Sequence, residues 1–327
     1  GQNTTADFFI DGLRDDVQYF RPLYNLERIE VLRGSNALLF GRGGGGGVVN
    51  RITKVAEIGQ QFTELSGGID SFGASLVTAD ANFSPYNDSA IRLNAMVEQI
   101  DNHRDFKDGD RWALNPTATL NLSDSTAVIA SWERIHDDRV VDRGNPSHSG
   151  SPLRGFEETF FGSPRFNNTN LEADIARVRI DHRLSDGWSF NTTAQYADYS
   201  KRYQNLYPIN FDKPAGTVAL DGYEDGTKRE NQLLQLNVIG LFSTGTLEHT
   251  LLTGAEVGRQ QSRNGRNDVR FAATDDDQIS FTFSDPLQIP AFDITAPVRA
   301  SASDVHFSSL FLQDEIALNP QWSIIAG

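Results

Sequence analysis

Residues Asn25 to Lys54 read NLERIEVLRGSNALLFGRGGGGGVVNRITK, two strand-like runs joined by a glycine tract. In the first run Ile29 and Val31 alternate with Arg28, Glu30 and Leu32, the period of two expected of a strand with one apolar and one charged face. Arg33-Gly34 ends that run. After Ala37-Leu38-Leu39-Phe40 come the glycines Gly43 to Gly47, and the chain resumes as Val48-Val49-Asn50-Arg51-Ile52-Thr53, again extended. Consecutive glycines are entropically unfavourable to order, so they mark a backbone that needs positive φ or that passes very close to a neighbour.

The letters Gly41 to Gly46 satisfy G-x-G-x-x-G, yet a strand follows where a dinucleotide-binding turn needs a helix, and no Gly-Lys-Ser/Thr ending is present. Nucleotide binding is therefore not expected. The 327 residues carry 29 Lys+Arg against 44 Asp+Glu, a formal charge of −15, which argues against nucleic acid as a partner. Without cysteine there is neither a disulfide framework nor a thiolate metal site. His103, His136, His148, His182, His249 and His306 lack the i, i+4 or clustered spacing of metal ligands, and no G-x-S-x-G nucleophile elbow occurs. Mean hydropathy is −0.42, and no run approaches the ~18 apolar residues of a spanning helix. A strand-built membrane wall stays compatible with that average, because its apolar residues occupy alternate positions.

The opening stretch resembles the end of the plug domain of TonB-dependent outer-membrane receptors. Such plugs close with a strand, Arg/Lys-Gly, a small-residue segment, Leu-Tyr/Phe-Gly, a glycine-rich turn and Val-Asn-x-x-Thr-Lys. Here those elements are Arg28 to Arg33, Gly34, Ser35 to Ala37, Leu39-Phe40-Gly41, Gly43 to Gly47 and Val49 to Lys54, so that Gly34, Gly41, Gly46, Gly47 and Asn50 carry the motif. Ser35 stands where proline often follows the Arg-Gly pair. Upstream, Asp7 to Gly12 with Arg14-Asp15 and Gln18 to Arg21 resembles the siderophore-receptor branch, in particular its catecholate type.

The resemblance implies an all-β fold, a transmembrane antiparallel β-barrel present by about half, preceded by the C-terminal part of an N-terminal plug domain. Residues 1–58 would belong to the plug and 59–327 to the barrel. Both ends read as cut within such a pattern, the expectation for a fragment. The implied function is binding a ferric siderophore and carrying it into the periplasm, driven by TonB and its inner-membrane energising complex. The protein would be integral to the outer membrane and in contact with its lipid; it would be a carrier, not an enzyme. No cofactor or metal site is expected, because iron arrives already chelated. Receptors of the same architecture for cobalamin or a glycan, and a passive porin or adhesin barrel, are the alternatives.

From Gln61 onward the chain alternates in the manner of such a wall. Expected strands are Phe62 to Asp70, Gly73 to Ser84, Ala90 to Ile100, Asp110 to Leu122, Thr126 to His136, Leu171 to Leu184, Trp188 to Tyr203, Thr227 to Phe242, Thr246 to Ser262 and Val305 to Leu318. In the third, Ile91, Leu93, Ala95 and Val97 face one way, and Arg92, Asn94, Met96 and Glu98 the other. Connections after the first alternate short and long, with long loops expected at Asp137 to Asn170, Gln204 to Gly226 and Arg263 to Asp304. Short turns on one rim and long loops on the other characterise outer-membrane barrels.

The resemblance also places a ligand between the plug apex and the outer loops. Arg14, Gln18, Tyr19, Phe20 and Arg21 are the candidate contacts, since guanidinium groups and aromatic rings suit an anionic, aromatic chelate. The plainer alternative is a turn whose arginines pair with Asp15 and Asp16. Arg28, Glu30 and Arg33 are candidates for contact between plug and barrel, and the resemblance implies that Arg33 pairs with barrel carboxylates. Phe156 to Phe161 and Tyr196 to Tyr207 could line a vestibule, while Tyr196, Tyr199, Trp132 and Trp188 are expected in the interfacial girdle. The run Asp275 to Asp277 lacks the spaced ligands of a calcium loop and reads as a solvated loop.

Overall fold

The computed structural model describes residues 7–15, 17–33, 47–148 and 150–327. A small sheet is built from β1 (Asp7–Ile10), β2 (Leu13–Arg14), β3 (Leu26–Leu32) and β4 (Val48–Thr53), in the order β2-β1-β4-β3. Asp11 and Gly12 turn β1 into β2 with φ of 50° and 83°, the left-handed pair that Asp-Gly adopts most readily. β4 runs parallel to β1 and antiparallel to β3. Asn50 fastens all of these together. Its Oδ1 accepts from the Gly12 amide at 3.0 Å, and its Nδ2 donates to Glu30 Oε2 at 2.9 Å. Gly47 enters β4 with φ +108°, and a Cβ there would lie 3.0 Å from the Leu32 carbonyl oxygen, so both backbone conformation and space call for glycine. The motif positions Gly34, Gly41 and Gly46 lie outside the described residues.

A connector, 54–61, leads to the wall. Its strands are β5 (Phe62–Ile69), β6 (Ser75–Tyr86), β7 (Ser89–Ile100), β8 (Gly109–Ser123) and β9 (Thr126–Val140). After a short ribbon of β10 (Ser147–His148) and β11 (Ser151–Pro152) come β12 (Asn168–Ser185), β13 (Trp188–Asp212), β14 (Thr217–Thr244) and β15 (Leu247–Phe271). β16 (Gln278–Thr282) and β17 (Phe292–Ile294) flank β14 and β15, and β18 (Arg299–Asn319) and β19 (Trp322–Ala326) complete the order. Each long strand pairs antiparallel with the next, and β5 and β19 form the two edges.

Burial across this wall is inverted relative to a protein in water. On β7, Ile91 and Val97 are 56% and 64% exposed, while Arg92, Asn94 and Met96 on the other face are buried. The same holds on β12, where Val178 faces out and Arg177 is buried. Only a lipid exterior makes the apolar face favourable, and the continuous ladder of strand pairs satisfies the backbone between the two edges. Trp132, Trp188 and Tyr196 are exposed on this wall. Tyr199 corrects the girdle expectation. It is three residues from Tyr196, hence on the opposite face, and is buried inside.

The rims differ from the expectation in two places. Connections 87–88, 124–125, 186–187, 245–246 and 320–321 are tight and share one rim. The other rim carries 101–108, 141–167 and 272–298, but also the short turns 70–74 and 213–216. The loop expected at Gln204 to Gly226 is a continuous hairpin of β13 and β14, and much of Arg263 to Asp304 belongs to β15 and β18. These extensions persist beyond the bilayer because they bury an apolar face of their own. Leu206, Phe211, Val218, Leu220, Val269 and Phe271 pack with Phe161 and Phe166 of the 141–167 connection into one cluster. Arg104 pins the neighbouring loop onto it, ion-paired to Asp142 and donating to the carbonyls of Glu157 (2.9 Å) and Thr159 (2.6 Å). Thr159 Oγ1 in turn donates to Asp285 Oδ2 at 2.7 Å. Three outer connections are thus tied into one body.

Because the outer face meets lipid, Leu236→Arg in the inner-rim third of β14 should destabilise the assembled barrel by about 2 to 4 kcal/mol. The inward-facing Asn231→Arg should cost far less. Urea titration in detergent, followed by heat-modifiable gel mobility, compares the two, and equal losses would contradict the assignment of faces.

Candidate ligand site at the plug apex

The segment after β2 curls around one buried carboxylate. Asp15 is 1% exposed, and its Oδ2 accepts from Arg51 Nη2 at 2.6 Å, Arg21 Nε at 2.8 Å and the Tyr19 hydroxyl at 3.1 Å. Arg21 also donates through Nη2 to the carbonyls of Asp15 (2.9 Å) and Val17 (2.6 Å). Its guanidinium lies 4.4 Å from the Phe8 ring centre and 4.5 Å from that of Tyr19. With the arginine turned inward, Gln18 and Phe20 are exposed on the outside of the curl, and Tyr19, its hydroxyl on Asp15, packs between curl and wall.

The wall meets that surface with cations and rings. The Arg139 guanidinium sits 3.9 Å over the Phe20 ring, Lys201 Nζ donates to the Gln18 carbonyl at 2.8 Å, and Tyr199 packs against Tyr19 with ring centres 6.0 Å apart. Strand register explains how residues so distant in sequence arrive together. Arg139, Thr169, Tyr203, Asp225 and Arg266 lie on one rung across β9, β12, β13, β14 and β15. Between plug and wall is a cavity of about 200 Å³, lined among others by Tyr19, Phe20, Lys107, Asp137, Arg139, Lys201 and Tyr203. Beyond it Tyr203 stacks on Tyr223, Arg266 lies 3.8 Å over Tyr223 and Arg143 lies 4.4 Å over Tyr207.

Lower down, the plug is fastened by polar contacts. Asn25 is buried and donates through Nδ2 to Asn115 Oδ1 and Glu133 Oε1, each at 3.0 Å, while the Tyr24 hydroxyl donates to the same Glu133 oxygen at 3.2 Å. Arg177 pairs with Asp11, whose carboxylate also accepts from the Thr53 amide (2.8 Å) and hydroxyl (2.7 Å). Lys54 reaches Asp80 at 2.8 Å.

A family model described as TonB dependent receptor-like, beta-barrel, matches residues 111–327, and the TonB-dependent Receptor Plug Domain matches residues 1–48. The chain belongs to the TonB-dependent receptor family. It is accordingly an outer-membrane protein. Among its relatives, the probable TonB-dependent receptor BfrD of Bordetella pertussis is 26% identical over all of this chain and 47% of its own length. The metal-pseudopaline receptor CntO of Pseudomonas aeruginosa is 26% identical over 92% of this chain and 42% of its own. The crystal structure of the siderophore receptor PiuA from Acinetobacter baumannii superposes with a TM-score of 0.84 at 25% identity, covering 97% of this chain and 48% of that one. The chain thus spans about half the length of the relatives it matches.

In this TonB-dependent receptor the residues singled out in the sequence divide into two groups. Tyr19 and Phe20 line the cavity, and the Gln18 carbonyl accepts from Lys201 beside it. Arg14 and Arg21 do not offer the free guanidinium groups expected of them: Arg14 pairs with Asp7 at 3.0 Å, and Arg21 is engaged by Asp15 and the carbonyls around it. Arg28 pairs with Glu30 inside the plug, and Arg33 is exposed with no ion pair among the described residues. The fastening to the wall falls to Asp11, Tyr24, Asn25 and Lys54, of which Asp11 and Lys54 lie in the stretches that carry the resemblance without being marked there as wall contacts.

Removing one member of the shielded Arg177 and Asp11 pair should cost up to about 3 kcal/mol. Arg177→Met is therefore expected to speed hydrogen exchange in residues 7–15 while leaving the barrel assembled, and unchanged exchange would sink the clamp. Tyrosine protons give a second readout. Burial, and after it the Asp15 carboxylate, push the Tyr19 hydroxyl far above the ordinary tyrosine range; burial and then Glu133 do the same for Tyr24. Both hold their protons in the folded plug but release them near pH ~10 when unfolded, so the stabilisation is complete below that pH and is lost as pH rises toward the folded values. Plug protection should fall above about pH 10, and Tyr19→Phe should flatten that fall.

Proposed function

We propose that this receptor binds a ferric siderophore between the plug apex and the wall, and passes it to the periplasm with energy supplied through TonB and its inner-membrane complex. The observation that carries the reading is the cavity where Phe20 and Tyr19 of the plug meet Arg139, Lys201 and Tyr203 of the wall. Cations interleaved with ring faces suit a bulky anionic chelate, which gains charge-assisted hydrogen bonds and stacking at once. The likeness to PiuA and CntO, a siderophore receptor and a metal-pseudopaline receptor, supports a chelated metal as cargo. Iron held by its chelator asks no ligands of the protein. A plug seated against the wall by more than one ion pair favours this reading over a passive pore. Cobalamin and glycans remain the comparison cargoes for the test.

Arg139→Ala and Phe20→Ala, each in the full-length receptor, should weaken binding of the ferric complex roughly ten- to hundredfold, the effect of losing one charge-assisted contact or one stacking face. A competition panel of ferric catecholates, ferric hydroxamates and cobalamin identifies the cargo. Iron-limited growth on the bound siderophore should require TonB; uptake that persists without it would point to a passive pore.

A further inference from the structure

Asp137 stands two residues before Arg139 on the inner face of β9, borders the apical cavity, and is 1% exposed. Its Oδ2 faces Arg139 Nη2 at 3.1 Å and Arg111 Nε at 3.6 Å. Its Oδ1 accepts no hydrogen bond among the described residues. Leu171 separates it from Lys201 along the rung. Lys201 gives one hydrogen bond to the Gln18 carbonyl, and an ammonium has three donors.

A cavity of about 200 Å³ falls below the ~300 to 1,000 Å³ of a pocket that encloses a whole ligand, but it holds one arm of a larger one. The groups around it set conflicting demands on a simple ion. A bare anion would suit Lys201 and Arg139 but be repelled by Asp137, and a bare cation would meet the reverse. An uncharged aromatic arm would cover Phe20 and Tyr203 while leaving the buried Asp137 oxygen unpaired, and a site built to pair a donor rejects ligands that lack one.

We propose that this cavity is a subsite for one arm of the chelate, selecting an arm that carries an N–H or O–H donor beside a carboxylate, as an amino-acid end does. Asp137 is its specificity-determining residue, accepting from the donor, while Lys201 and Arg139 take the carboxylate. The assignment rests on the reading of the site as a chelate site, and the experiment separates the two. The full-length receptor is titrated with the ferric complexes of dihydroxybenzoyl-serine and of dihydroxybenzoyl-propylamide, which share the iron-binding ring and differ in the arm. The seryl complex should bind at least about tenfold more tightly, and Asp137→Leu, which removes the acceptor at similar shape, should reduce that preference to within about twofold. Lys201→Gln should erode the same preference, and it carries the test if the Asp137 variant does not assemble. No preference in the parent, or one that survives both substitutions, overturns the subsite. So does a parent that binds neither probe but binds another ferric chelate. A parent that binds no ferric chelate overturns the transport reading itself.

Discussion

Polar side chains on the inner face of a lipid-embedded wall must find partners, because neither lipid nor an apolar core will serve them. In this receptor many find them in the plug. Glu133 and Asn115 meet Asn25, Arg177 meets Asp11, and Asp80 meets Lys54. Contacts of this kind contribute only about 1 kcal/mol each when water can replace them. A plug seated in this way is held by number, and parts of it can be rearranged without baring apolar surface. The exception is the apex, where Val17, Tyr19 and Tyr24 pack with Ile135, Leu171, Ile175 and Tyr199. Apolar contact fixes the apex, and exchangeable polar contact fixes the rest.

The wall was largely legible because alternation needs only neighbours two apart. Arg92, Asn94 and Met96 against Ile91, Leu93 and Val97 is a pattern visible in twelve letters, and the structure places those sets on opposite faces. Strand ends were not legible in the same way. Gln204 to Gly226 contains Pro208, Gly216, Gly222 and Gly226, a loop-like composition, yet it forms a hairpin whose apolar residues bury against segments far along the chain. Pro208 is accommodated at a register shift opposite Leu220. What decides such a hairpin is a tertiary partner, which local composition does not contain.

The candidate site was half legible. Rings and guanidinium groups in Arg14 to Arg21 announced recognition chemistry, but which of them turn inward depends on Phe8 and Arg51, brought beside Asp15 by the parallel pairing of β1 and β4. The plainer alternative of arginines paired within the segment describes Arg21 better, although its partner Asp15 is buried and not solvated. The wall's share was invisible for another reason. Arg139, Lys201 and Tyr203 become neighbours only once strand register is known, and register is a property of pairs of strands.

β14 runs for 28 residues and ends in a tight turn at the inner rim, so nearly all of its excess length lies on the other side. At ~3.3 Å per residue and a tilt near 40°, it rises on the order of 70 Å, against an apolar band of ~25 Å. The mouth of the receptor therefore stands tens of ångströms out in the medium, clear of the headgroup layer. The way into the lumen is thus a tower and not an opening level with the membrane. On its inner wall Arg266 and Tyr223, then Tyr203, then Arg139 follow one another from strand to strand, cations and rings together, as far as the plug.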